Sequence, residues 1–117
     1  MPQEVVKEAS SIGPMNLDGG GMIRWLITHR DGAPNFSMRL IDVPSGRSTP
    51  DHFHDYEHEM FILEGTGEAE IEGRKYSLGK NFFVYVPSNF RHVVRAKSDL
   101  KLICIVPIKA AIDILGP

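Results

Sequence analysis

The sequence predicts an all-β fold, either a β-sandwich or a closed antiparallel barrel. Short apolar or alternating segments recur at roughly 8–12-residue spacing, as they do in all-β domains. Gly and Pro residues separate these segments, and almost no stretch repeats its apolar residues at helical spacing. The length of 117 residues corresponds to one domain.

Eight segments are predicted to be strands. They span residues 22–28, 35–43, 60–63, 68–72, 74–78, 81–86, 92–97 and 100–106. Gly73 separates two of them by a single residue, which predicts a hairpin. We therefore divide the chain into an N-terminal arm or loop (1–21), a barrel (22–107) and a C-terminal tail (108–117). The tail carries one apolar stretch, which is expected to form a short helix or to dock onto the barrel.

The composition argues against several classes of function. The formal net charge is −2, and no run of Lys or Arg points to nucleic acid or to an anionic membrane. Cys104 is the single cysteine, so neither an internal disulfide nor a CxxC zinc motif is possible. No apolar run has membrane-spanning length, and the N-terminus has no signal-like segment. We expect a cytoplasmic protein that binds neither nucleic acid nor membrane.

Four of the five histidines fall into a pattern. His52, His54 and His58 have the same parity, so on an extended chain their side chains point to one face. Residues two apart on a strand are roughly 6–7 Å apart, which lets two imidazole rings converge on one ion. His58 joins them if residues 55–57 keep register, or if they turn and bring it back beside the other two, and His92 follows a turn signal. His29 stands apart and is predicted to be an ordinary surface or core residue.

These histidines belong to two longer spacings. The spacings are Gly46-x5-His52-x-His54-x3-His58-x6-Gly65 and Gly79-x7-Pro87-x-Asn89-x2-His92. They resemble the two sequence motifs of the cupins, small jelly-roll β-barrels whose interior holds a metal ion. The resemblance covers roughly residues 35–106 and implies a single-domain cupin jelly-roll β-barrel.

The chain departs from the usual cupin pattern at two positions. Cupins usually place a glutamate near His58, where this chain has His58 followed by Glu59. The six-residue distance to Gly65 and the strand parity both select His58. Asn89 replaces a glycine, but asparagine tolerates the left-handed backbone that such a turn needs. The chain is thus similar to small manganese-binding cupins with four histidine ligands.

By that resemblance, one divalent transition metal per chain binds to His52, His54, His58 and His92. Manganese is the metal that the resemblance implies, and imidazole donors also suit iron, nickel, zinc and copper. An octahedral ion would keep two positions open for water, oxygen or substrate. A tetrahedral zinc with four protein ligands would instead be structural.

A substrate pocket is predicted beside the metal. Met60 shares the parity of His58 and Val94 that of His92, so both are candidates for its lining. Arg39 stands among apolar neighbours, where it either anchors an anion or points outward into solvent. Cys104 is a further candidate, and its alternative is a small core residue. No catalytic side chain is assigned.

Three functions are compatible with this site. The first, which we favour from the sequence, is a metal-dependent, dioxygenase-like oxidoreductase acting on a small organic substrate. The second is a non-redox, metal-templated isomerase, lyase or cyclase, and the third is a ligand- or metal-binding barrel without turnover. A homodimer is also expected, because segments 60–63 and 100–106 are apolar at both parities and need cover on both faces.

Overall fold

The computed structural model describes residues 3–117, which form two β-sheets and one C-terminal helix. In chain order the elements are β1 (Met15–Asn16), β2 (Met22–Ile27), β3 (Phe36–Val43), β4 (His58–Glu64), β5 (Gly67–Ile71), β6 (Arg74–Leu78), β7 (Phe83–Val86), β8 (His92–Ala96), β9 (Leu100–Pro107) and α1 (Ile108–Leu115). The eight predicted strands are therefore confirmed, with shifted ends. No helix within the described residues is long and apolar enough to cross a membrane.

The strands form a jelly roll of two antiparallel sheets. One sheet has the order β1-β2-β3-β9-β4-β7, and the other has the order β6-β5-β8. Isolated bridges from Ser48 to Arg95 and from His52 to His92 connect the segment before β4 to the smaller sheet. These bridges set the sheets face to face around one core.

Of the two predicted architectures, a β-sandwich and a closed antiparallel barrel, the structure has the first: a jelly roll of two sheets that do not join into a closed barrel within residues 3–117. β6 and β7 follow each other in sequence but belong to different sheets. Between them, Asn81 adopts a positive φ of 71°, and its N–H donates to the carbonyl of Ile62 in β4. After this turn the chain enters the larger sheet as β7, so no ladder joins β6 to β7 within residues 3–117.

Alternation along β4 and β9 separates the core from the outer face. In β4, His58, Met60 and Ile62 are buried, whereas Glu59 and Phe61 are exposed. In β9 every second residue is buried in the same way; these are Leu100, Leu102, Cys104 and Val106. The period of two therefore places one face of each strand between the sheets.

The hairpin predicted at Gly73 is confirmed. Ile71 pairs with Arg74, which leaves Glu72 and Gly73 as a two-residue turn. Both turn residues have positive φ, 50° and 79° respectively. That is the type I′ geometry that matches the twist of the flanking strands, and glycine adopts it without steric strain.

Both chain ends pack against the larger sheet. Within the predicted arm, β1 pairs with β2 through Met15 and Asn16. In the tail, α1 begins after Pro107 and buries Ala110 and Ala111, which confirms the helical alternative. The division of the chain at residues 21 and 107 otherwise stays a prediction.

The outer face of the larger sheet carries exposed aromatic residues. Phe36, Phe83 and Tyr85 are 69%, 81% and 57% exposed, and Ile103 and Ile105 on the same face are half-buried. An apolar surface of this kind is compatible with association. The homodimer stays a prediction.

Candidate metal centre

Three structural elements bring the histidines together. His52 and His54 lie in the segment before β4, His58 is the first residue of β4, and His92 is the first residue of β8. The backbones of His52 and His92 exchange two hydrogen bonds, with N···O distances of 3.2 and 2.9 Å. This pairing sets their side chains next to each other across the gap between the two sheets.

The imidazole rings form a compact cluster. Ring centroids are 4.0 Å apart for His52 and His54 and 5.3 Å apart for His52 and His92. The His58 ring centroid is 5.0 Å from that of His54 and 4.7 Å from that of His92. For His52, His54 and His92, the potential ligand nitrogens all lie within 4.8 Å of one another, so small ring rotations would bring them to a common ion at roughly 2.1 Å.

The cluster fits a transition metal. The His92 Nδ1 lies 2.9 Å from the carbonyl oxygen of Phe90, and a proton donated there leaves Nε2 free as a ligand. The His58 Nε2 is buried and has no hydrogen-bond partner within the described residues. A buried nitrogen without a partner, beside three other imidazoles, is a suitable donor for a metal ion. Three ligands form the tight group, and the four-histidine set stays a prediction.

Two residues beside His58 determine which of its ring nitrogens carries the proton. Its Nδ1 is 3.1 Å from the Arg39 Nη2 and 3.3 Å from the Cys104 Sγ, and Nη2 also donates to Sγ at 2.8 Å. A guanidinium only donates, so a bond from Arg39 to Nδ1 places the ring proton on Nε2. If Nδ1–H instead donates to the sulfur, Nε2 keeps the lone pair that metal binding requires.

The surroundings hold the rings neutral. Burial lowers the pKa of His58 to about 2, and the nearby positive charge of Arg39 acts in the same direction. Burial also lowers the pKa of His54 to about 4, with His52 and His92 as further causes. The pKa values of His52 and His92 are lowered as well, again chiefly by burial. Neutral imidazole is the form that binds metals.

A cavity of about 150 Å³ opens beside the cluster. It is walled mainly by apolar side chains of the larger sheet, and Leu17 and Ile114 from the two chain ends also line it. Three predicted pocket residues, Arg39, Met60 and Cys104, line this cavity. Val94 does not: it is 2% exposed and lies in the hydrophobic core.

Two aromatic residues of the cavity are absent from the sequence-based prediction. Tyr56 stacks on His54, with ring centroids 4.5 Å apart and an interplanar angle of 6°. Trp25 lies under the guanidinium of Arg39, 5.1 Å from its Cζ. Tyr56 shares the parity of the histidines, which is a signal that the sequence did contain. The position of Trp25 depends on its pairing with Arg39 between β2 and β3, which no local pattern reveals.

No carboxylate lines the cavity among the described residues. Glu59, the alternative ligand, pairs with Tyr85 on β7 and is exposed on the opposite face of β4. The donor set is therefore built from imidazoles.

The fold is that of a cupin. A family model described as Cupin domain matches residues 39–106, which is more than half of the chain, so the protein belongs to the cupin family.

Individual relatives are more distant. The chain is 29% identical over 96 residues to the polyketide synthase CurC of Streptomyces cyaneus, covering 80% of this chain and 62% of that protein. It is also 29% identical over 90 residues to quercetin 2,3-dioxygenase of Bacillus subtilis, covering 76% of this chain and 27% of that protein. In both cases the chain spans less than two thirds of the relative's length.

Among solved structures, the polyketide cyclase RemF of Streptomyces resistomycificus has a similar fold. The TM-score is 0.81 at 24% identity, and the match covers 91% of this chain and 80% of that one. The likeness confirms the jelly-roll fold.

The burial pattern of β4 leads to a test of the fourth ligand. Replacing His58 with alanine is expected to weaken metal affinity by about tenfold or more, because one convergent donor is lost. Replacing Glu59 with glutamine is expected to change it less than twofold, since that side chain faces away. Metal competition titrations with a chromogenic chelator measure both. The opposite order of effects would mean that β4 binds the metal through its other face.

Proposed function

We propose that this cupin is a metal-dependent enzyme that converts a small, flat, enolisable carbonyl compound without net oxidation, by ring closure or isomerisation. The observation that carries the proposal is an imidazole-only donor cluster at the wall of an apolar cavity. One divalent transition metal per chain is part of the proposal, with manganese implied by the family resemblance and zinc, iron, nickel or copper also suited to these donors.

The charge of the donor set favours non-redox chemistry. Neutral imidazoles leave the full charge of a divalent ion in place, whereas a carboxylate ligand would offset part of it. Retained charge makes oxidation of the ion to the trivalent state harder. When bound, the metal would act as a Lewis acid and a template for carbonyl oxygens. We therefore place the non-redox function ahead of the dioxygenase that the sequence favoured.

The protein's own side chains would orient the substrate and exclude water. Tyr56 and Trp25 contribute aromatic rings to the lining, which suits a flat conjugated molecule, and the apolar walls strengthen electrostatic interactions inside the cavity. A β-dicarbonyl compound loses its central proton readily when its oxygens lie beside positive charge. Such a substrate does not need a strong base, which agrees with a cavity lining that has no carboxylate among the described residues.

The relatives support this substrate class. CurC is named as a polyketide synthase protein, and polyketide chains are rich in enolisable carbonyl groups. Ring closure of such a chain needs its reacting β-dicarbonyl unit to be held in place and kept dry.

A second candidate is an oxygen-dependent activity, and the match to quercetin 2,3-dioxygenase favours it. Both candidates place a flat, conjugated substrate against the metal. They differ in whether dioxygen is consumed.

One experiment separates the candidates. Metal-reconstituted protein would be incubated with 1,3-diketones, aromatic poly-β-ketones and quercetin, in an oxygen electrode and in parallel under anaerobic conditions with product analysis by mass spectrometry. The proposal expects isomeric or dehydrated products at equal rates with and without oxygen. Oxygen uptake that matches substrate loss would support the dioxygenase instead, and saturable binding without any product would support a non-enzymatic barrel. Metal-free protein is the control.

A further inference from the structure

The buried guanidinium of Arg39 has no acidic partner. Arg39 is 6% exposed, and no carboxylate within residues 3–117 forms a salt bridge with it. Its Nη2 donates to the Cys104 Sγ and lies 3.1 Å from the His58 Nδ1, while its Nε is buried without any hydrogen-bond partner in the described part of the chain.

An unpaired buried cation is costly, because it loses its hydration without gaining an opposite charge. Neither the imidazole nor the thiol beside Nη2 supplies a negative charge. The ring of Trp25 under the guanidinium offsets part of the cost through a cation–π contact. A counter-ion is still lacking, and the cavity that Arg39 lines is a space in which one could bind.

We propose that Arg39 forms an anion subsite, so that the substrate carries a carboxylate, phenolate or enolate oxygen on a flat apolar body. The inference rests on the proposed function and adds the charge of the substrate to it. Arg39 is the single charged residue among the described residues that line the cavity. A divalent metal at the histidines would add positive charge on the same side, so anions are favoured over neutral molecules of the same shape.

The volume of the cavity determines which ligand is suitable as a probe. A dry cavity of about 150 Å³ accommodates a benzene-sized body, and this cavity has about that volume. Benzoate and benzamide share that body and differ in the charge of the group that would face Arg39. The chain also has a single tryptophan, which is Trp25 in the cavity wall, so intrinsic fluorescence reports on occupancy directly.

The experiment titrates benzoate and benzamide into metal-loaded and metal-free protein at one ionic strength, following Trp25 fluorescence. Benzoate is expected to bind at least tenfold more tightly than benzamide in both forms, since charge-assisted hydrogen bonds to a buried guanidinium discriminate by about that factor. In metal-free protein the preference isolates Arg39 from the ion. Equal affinity for the two probes in metal-free protein would overturn the proposal.

Variants assign the preference to this side chain. Arg39→Met is expected to reduce the benzoate preference to less than threefold, and Arg39→Lys to an intermediate value, because lysine keeps the charge but lacks the planar fork. Arg74→Met, on the exposed strand β6, is the matched control and should keep the wild-type preference. If Arg39→Met keeps the full preference while folded, as judged by circular dichroism, the proposal is wrong. If that variant does not fold, Arg39→Lys decides: a reduced preference supports the subsite, and an unchanged one overturns it.

The test of the anion subsite does not depend on whether the protein catalyses the proposed reaction. Selective benzoate binding without any conversion of the carbonyl panel would retain the anion subsite and refute the proposed reaction. Conversion of neutral diketones by a protein that does not distinguish benzoate from benzamide would support the proposed reaction and refute the anion subsite.

Discussion

Replacing both His52 and His54 with alanine is expected to reduce the bound metal from about one ion per chain to less than a tenth of that amount. These two rings are neighbours at a centroid distance of 4.0 Å, and each belongs to the group of three whose ligand nitrogens converge. Removing two of three convergent donors leaves a single imidazole in that group, which does not hold a divalent ion against desalting. Elemental analysis after reconstitution and gel filtration measures the ratio.

The matched control is His29→Ala. The His29 ring lies outside the cluster, where its Nε2 is 2.8 Å from the carbonyl oxygen of Gly116, so this variant should keep its full metal content. Retention of a full equivalent of metal by the double variant, with the control behaving alike, would remove the basis for the metal centre and for the proposed function.

The orientation of His58 illustrates what a sequence determines. A strand alternates its side chains with a period of two, so parity alone predicts that His58 points inward and Glu59 outward, as observed. The type I′ hairpin at Gly73 is equally local, since its geometry depends on two residues. Patterns of short range therefore predicted the strands, the hairpin and the gathering of the histidines.

Features that depend on pairing between distant segments were not predictable in this way. Trp25 contacts Arg39 because β2 and β3 pair in one register, with an irregularity just after Trp25. Val94 has the inward parity of His92, yet an inward face includes both cavity wall and closed core, and Val94 lies in the core. The choice between the two predicted architectures, sandwich and closed barrel, has the same origin, because the hydrogen bond from Asn81 to Ile62 joins residues far apart in the chain.

Acid lowers both the stability of the metal-free protein and the stability that bound metal adds. The lowered pKa values of the histidines determine the pH range of each loss. In the folded metal-free protein, burial holds the pKa of His54 near 4 and that of His58 near 2, whereas an unfolded chain takes up these protons near pH 6.5. Below that pH the unfolded state binds more protons than the folded state. The stability that neutral rings provide is thus complete above about pH 6.5 and is lost as pH falls towards the folded-state values.

The stability that bound metal adds is lost over a lower pH range. Protons compete with the ion only where the folded metal-free rings titrate, so the increment should persist below pH 6.5 and decline as pH approaches about 4 for His54. Because several coupled rings take part, the decline should be steeper than a single titration.

We therefore expect two distinct transitions in thermal melts recorded between about pH 8 and pH 4.5. The melting temperature of metal-free protein should begin to fall near pH 6.5. The gap between metal-loaded and metal-free protein should be roughly 10 °C at a 100-fold excess of metal over its dissociation constant. It should stay constant to about pH 6 and narrow only below that.

The His52→Ala/His54→Ala variant should show almost no gap at any pH. A gap that already closes between pH 8 and pH 6.5 would mean that the rings titrate normally in the folded protein, and a gap that never narrows would mean that the metal is bound by groups other than these histidines.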